Sequence, residues 1–246
     1  MSKRYEASPI IEALCQFQFE PDASWDLTIP GLIYEQVKKD FPKRNQVAQV
    51  NIGVAVNAEI IGQQIGALPL MQFMREDSNT LIQVGQNLLT INQLAPYSSW
   101  QEFLLSIEEG LQAYLEAAHP KSIQRVALQY LNRIEFEQKV QLEDYLNFYP
   151  FVGEGLPQEF GAFVVGVQLP YENSRDLLNL QLVTLNTEAP NTVAMILDLN
   201  YMLARLGEIE LDSVLEWVNT AHKHIEETFE ACITDRLRQR FKEVIG

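Results

Sequence analysis

The residues best equipped for recognition chemistry stand at alternating positions in separate stretches of the chain. Residues 9–20 put Glu12, Gln16, Gln18 and Glu20 on one side, opposite Ile11, Ala13, Cys15, Phe17 and Phe19. Residues 122–136 carry Arg125, Gln129 and Arg133 at every fourth position, so the three share one face of a strand. Asp198 and Asn200 alternate in the same manner within residues 192–203. Guanidinium groups pair with carboxylates or fork onto an anion. Amides donate and accept at once. Such a set suits recognition by hydrogen bonding and is poor in the acids and bases that bond-breaking needs.

Other chemistries find little support. His222 and His224 are two apart in a predicted helix and point in different directions, so they cannot share a metal in the usual way. His222 falls on an apolar stripe and reads as a core or interface histidine. His119 precedes Pro120 at a helix end, where an imidazole suits the helix dipole. Asp198, Glu12 and Glu20 would hold a divalent ion only if their strands met, and Arg125 and Arg133 compete for them. The sequence has no Gly-rich phosphate loop, nucleophile elbow or paired-cysteine motif. No cofactor or metal is expected, and the balance is against an enzyme.

The elements that must position these residues follow from periodicity. Residues 9–20 read as a half-buried strand, 31–41 as a short helix stopped by Pro42, and 46–57, 70–75, 80–85 and 88–93 as strands. Ser99-Trp-Gln-Glu102 is a capping box opening a helix whose stripe runs from Trp100 to Ala118, with Pro120 ending it. A second round follows: a strand over 122–136, a short helix over 142–148, strands at 161–169, 176–186 and 192–203, and a long helix from Asp212 to about Glu243. Ser213-Val-Leu-Glu216 offers a second capping box.

This order predicts an α+β fold in which two strand-helix-strands-helix units, about 9–120 and 121–246, share one mainly antiparallel sheet within a single domain spanning 1–246. Two long helices would cover one face. The strand order resembles the saddle of the TATA-binding protein, an analogy of fold that transfers no function. The opening strands of the two units would meet antiparallel, with Glu12 facing Arg133, Gln16 facing Gln129 and Glu20 facing Arg125. The polar face would also gather Gln49, Asn51, Gln83, Asn179 and Gln181.

Composition narrows the partners. The chain has 246 residues, 47% apolar and 21% charged, which matches globular averages. Lys and Arg number 18 against 33 Asp and Glu, a net charge of −15. Neutralising phosphates takes a basic patch. The densest cluster, Arg236, Arg238, Arg240 and Lys242, is interleaved with Glu230, Asp235 and Glu243, so nucleic-acid binding is disfavoured. Two cysteines make no disulfide framework, and neither a signal peptide nor a long apolar run is visible. The expected location is the cytoplasm, with no membrane contact.

Three segments carry a resemblance: Pro9-Ile-Ile-Glu-Ala-Leu14, Leu128-Gln-Tyr-Leu-Asn-Arg-Ile134 and His224-Ile-Glu-Glu-Thr-Phe-Glu-Ala-Cys-Ile-Thr-Asp235. Through them the chain resembles a sporadically distributed, functionally uncharacterised prokaryotic protein family of similar length. The resemblance implies an accessory-type bacterial or archaeal protein and singles out Glu12, Asn132 and Arg133. It supplies no activity, cofactor or catalytic residue.

The expectation is a non-catalytic recognition or regulatory protein that binds a partner protein through its amide-rich sheet face. Glu12, Gln16, Arg125, Gln129, Arg133, Asp198 and Asn200 are the candidate site. One alternative is a small-molecule binder or enzyme using the same face around Arg125 and Arg133; a second is nucleic-acid binding. The final turns, with Leu237, Phe241, Val244 and Ile245 apolar, could pair with a second copy.

Overall fold

Alternating apolar side chains commit the central segments to strands, and two amphipathic helices cover the apolar side they create. The computed structural model describes residues 4–21, 25–48, 69–157, 161–187 and 192–244. In chain order the elements are β1 (Arg4–Tyr5), β2 (Ile10–Phe19), α1 (Ile29–Val37), β3 (Lys43–Ala48), β4 (Pro69–Met74), β5 (Thr80–Gly85), β6 (Leu88–Leu94) and α2 (Trp100–Ala118). There follow β7 (Ile123–Phe136), β8 (Val164–Tyr171), β9 (Asp176–Leu185), β10 (Val193–Leu203), α3 (Val214–Cys232), α4 (Asp235–Phe241) and β11 (Glu243–Val244). Most of the strand expected over 46–57 lies outside the described residues, as do Gln49 and Asn51.

Among the described residues, nine strands form one antiparallel sheet in the order β3-β4-β5-β6-β2-β7-β10-β9-β8. This is the expected α+β architecture. β2 and β7 meet near the centre, and the order runs outward through β6, β5, β4 and β3 on one side and β10, β9 and β8 on the other. Ala13, Cys15, Phe17, Val126, Leu128, Tyr130, Leu197, Leu199 and Tyr201 fill the covered face and belong to one core cluster. Both thiols, Cys15 and Cys232, are free and buried. No helix among the described residues is long and apolar enough to cross a membrane.

The central register differs from expectation by two residues. Leu14 stands opposite Gln129, Cys15 opposite Leu128 and Gln18 opposite Arg125. Glu12 faces Leu131 rather than Arg133, and Gln16 faces Ala127 rather than Gln129. The pairing itself shifts by one residue between Ile10 and Glu12 and between Gln18 and Phe19. A slip of two residues keeps every side chain on its original face, so the alternation survives while the partners change.

Four helical expectations also change. The segment 142–148 holds only a 3-10 turn at Leu142–Asp144, because Leu146 bridges to Ile233. That bridge interrupts the long C-terminal helix: Ile233 is extended, and Thr234 N–H donates to the Tyr145 carbonyl at 3.0 Å. Ser213 caps nothing, since it has helical dihedrals at the end of a 3-10 turn. α1 begins earlier than expected, with Pro30 in its first turn, where the missing N–H costs no helical bond. Leu237 and Phe241 are buried within this chain, which removes them as an apolar overhang for a second copy. Ile245 lies outside the described residues.

Candidate functional site

On the open side of the sheet, hydrogen bonds run between side chains across strands. Gln72 Nε2 donates to Gln83 Oε1 at 3.0 Å, Gln83 Nε2 to Asn92 Oδ1 at 2.7 Å, and Asn92 Nδ2 to Glu12 Oε1 at 2.6 Å. This ladder links β4, β5, β6 and β2, and it occupies Glu12 within the fold. Gln16 reaches Thr90 Oγ1 at 3.4 Å.

Beyond the centre, Gln129, Asp198 and Asn200 do gather. Gln129 Nε2 donates to Asp198 Oδ1 at 2.8 Å, and Asn200 stands between Gln129 on β7 and Asn179 on β9. Burial pushes the Asp198 carboxyl up to about 6, against the pull of the Gln129 bond. The amide oxygens of Asn179 and Asn200 are buried and have no hydrogen-bond partner among the described residues.

The two arginines do not converge. Arg125 and Arg133 lie eight residues apart along one strand, roughly 27 Å at the usual rise. A two-arginine fork for one small anion is therefore ruled out. Arg133 turns to Glu135 on its own strand, with Nε at 2.9 Å and Nη2 at 2.7 Å. Glu20 accepts from Ser122 Oγ at 2.9 Å instead of pairing with Arg125. Among the described residues, no group of three or more His, Cys, Asp or Glu side chains could hold a metal ion.

The covered side contains something the alternation did not announce. A cavity of about 540 Å³ opens beside the start of α2 and the middle of α3. The Ser99 side chain accepts the Glu102 N–H at 3.2 Å, which starts α2 at Trp100 and sets that indole in the cavity wall. His222 of α3 stacks on it, with ring centroids 3.9 Å apart. His222 Nδ1 lies 3.3 Å from Tyr130 Oη, which lies 3.2 Å from Tyr97 Oη. Burial pushes the His222 imidazole down to about 4, so it is neutral at pH 7, and burial pushes both phenols up.

Asn132, only 2% exposed, lines the same cavity and donates to the Leu197 carbonyl at 3.2 Å. Tyr5 and Val244, from the small β1–β11 sheet, complete one wall. The Tyr5 hydroxyl donates to Glu230, whose other oxygen takes Arg238 Nε at 2.8 Å.

The segments 9–14, 128–134 and 224–235 all contribute to this cavity. The first gives Pro9 and Ile10, the second Tyr130 and Asn132, and the third Ile225, Glu226, Phe229 and Glu230. No family model matches the chain, and no curated protein matches it either. Geometry therefore carries the reading. Tyr97, Trp100, Tyr130 and His222 were not among the expected site residues. The available signal was Asn132, a polar residue at a position whose strand neighbours Tyr130 and Ile134 face the core.

Proposed function

We propose that this protein is a non-catalytic recognition protein whose ligand is a small molecule held in the cavity on the helix-covered side. The carrying observation is the convergence of separate segments on one mostly apolar space with a short row of hydroxyl and imidazole groups. Its volume lies within the usual range for small-molecule sites. Neutral His222 and two protonated phenols supply hydrogen bonds without a group poised to exchange a proton near pH 7. The proposal moves the small-molecule alternative from Arg125 and Arg133 to the opposite face.

The test is a fragment screen of the full chain by NMR. The expected result is a set of hits that shift the Trp100 indole and the His222 imidazole signals. A screen whose hits leave both signals unmoved would remove this reading.

A second reading keeps a partner protein on the open sheet face. It is favoured by the unpaired amide oxygens of Asn179 and Asn200 beside Asp198. Loss of partner capture on changing Asp198 and Asn200, with the melting temperature held, would support it. The matching strand order outward from β2 and β7 supports an internal duplication with a saddle-like sheet as part of the same proposal. A cytoplasmic location belongs to the same proposal, and the two free, buried thiols support it.

A further inference from the structure

We infer that this chain pairs with a second copy of itself along the outer edge of β8, joining the two sheets across a twofold axis. The inference is independent of the cavity and of the amide-rich face.

β8 ends the sheet: it pairs with β9 over its whole length, and no strand among the described residues lies on its other side. The phase of that pairing fixes which backbone groups face outward. Thr184 N–H donates to the Phe163 carbonyl at 3.1 Å, so the pairs in step with it, Val165 with Leu182 and Val167 with Leu180, also turn their amides inward to β9. Val164, Gly166 and Gln168 therefore direct N–H and C=O away from the sheet. Pro170 falls on the same outward phase, where its missing N–H takes nothing from the pairing with β9. All of these outward residues are exposed.

Charge and apolar surface favour a like partner. Residues 161–171 contain no charged side chain, in a chain whose net charge of −15 sets copies against one another elsewhere. At the other end of the described sheet, β3 opens with Lys43 and Arg44, the kind of charge that discourages strand addition. β8 has no charged guard, and Pro170 only limits pairing to the residues before it. Both faces of the strand leave apolar surface open: Val164 is 52% exposed, and Val167, which shares a face with buried Leu180, is 42% exposed.

An antiparallel partner centred on Gly166 uses every outward N–H. Gly166 meets its twin, and Val164 meets Gln168 of the second copy, each pair exchanging N–H and C=O. In that register Val165 faces Val167 of the second copy at the closer spacing of a non-hydrogen-bonded pair, which covers the exposed Val167.

The test is sedimentation of the full chain. A short edge makes a small interface, so the unaltered protein should run at the mass of two chains at micromolar concentration and above. Val167→Glu sets like charges across the axis, and Gln168→Pro removes one outward N–H while sparing the bonds to β9; each should return the mass to that of one chain. Amide hydrogen exchange gives a second readout on the unaltered chain: Val164, Gly166 and Gln168 should be protected at high protein concentration and lose that protection on dilution. A single chain at every concentration up to the solubility limit overturns the inference. So does a dimer whose outward β8 amides exchange freely, or one in which either variant, folded, pairs as tightly as the unaltered chain. Assembly beyond two copies overturns it as well, because pairing across a twofold axis closes at two. If both variants misfold, the exchange measurement decides.

Discussion

The Trp100 and His222 rings lie face to face, 3.9 Å between centroids and 8° from parallel, and they join the first residue of α2 to the middle of α3. The indole shields one face of the imidazole from water, and burial holds His222 down to about 4. An unfolded histidine takes a proton near pH 6.5. Between about pH 6.5 and 4 the unfolded chain therefore binds more protons, and folding stability falls with pH, by up to roughly 3 kcal/mol. NMR titration of the His222 ring should show a midpoint near 4. In Trp100→Ala the midpoint should climb towards 6.5 as water reaches the ring.

Asp198 works in the opposite direction. Its folded carboxyl titrates at about 6, above the ordinary range near 4. The folded chain therefore holds that proton more tightly, and acidification from pH 6 to 4 favours folding at this site. Asp198→Asn removes the effect while leaving an acceptor for Gln129. Urea midpoints at pH 7 and pH 5 should differ more in Asp198→Asn than in the wild type.

Asp176 is fully buried and carries a network of donors. Trp217 Nε1 reaches Oδ1 at 3.0 Å, Tyr201 Oη reaches Oδ2 at 3.1 Å, and Arg175 Nη2 reaches Oδ2 at 2.7 Å. Asp176→Asn turns one acceptor into a donor against other donors. Breaking a buried charged network in this way costs about 3–5 kcal/mol. Trp217→Phe removes one bond and leaves two partners, so it should cost about 1–3 kcal/mol. Denaturant unfolding of both variants gives the comparison.

Gly110 lets α2 lie close on the sheet. A Cβ at this position would sit 3.2 Å from Ile91 Cγ1 and 3.4 Å from Ile82 Cδ1. Alanine gains about 1 kcal/mol of helix propensity and spends a similar amount on displacing Ile91. Gly110→Ala should therefore fall within about 1 kcal/mol of the wild type. Gly110→Leu has no such room and should lose about 1–3 kcal/mol or more, read as a lower thermal midpoint.

The faces of the sheet were legible because strand alternation has a period of two, and β2 keeps it from Ala13 to Phe19 and β7 from Val126 to Phe136. The register was not legible. Pairing Glu12 with Arg133 satisfies the same alternation as the actual pairing of Glu12 with Leu131, so charge complementarity chose the wrong member of a degenerate set. The break at Ile233 was hidden because the apolar stripe continues across it: Leu237 and Phe241 remain buried beyond the extended Ile233. The cavity was hidden for a different reason. Tyr97 and Trp100 are near neighbours, but Tyr130 and His222 are far from them and from each other in sequence, and each reads alone as a core residue.

Glu12 and Arg133, expected from the sequence to face each other, should respond differently to substitution. Arg133 pairs with Glu135 at the surface, where the side chains are 46% and 45% exposed. Such pairs contribute about 0–1 kcal/mol, so Arg133→Leu should leave the melting temperature nearly unchanged. Glu12 ends a ladder whose next member, Asn92, is only 4% exposed. Asn92→Ala strips partners from both Glu12 and Gln83 and should cost about 1–3 kcal/mol. Combining Asn92→Ala with Glu12→Ala isolates their coupling. If the ladder acts as a connected unit, the double variant loses less than the two single losses together; strict additivity would mean that Glu12 faces water unassisted and remains free to meet a partner.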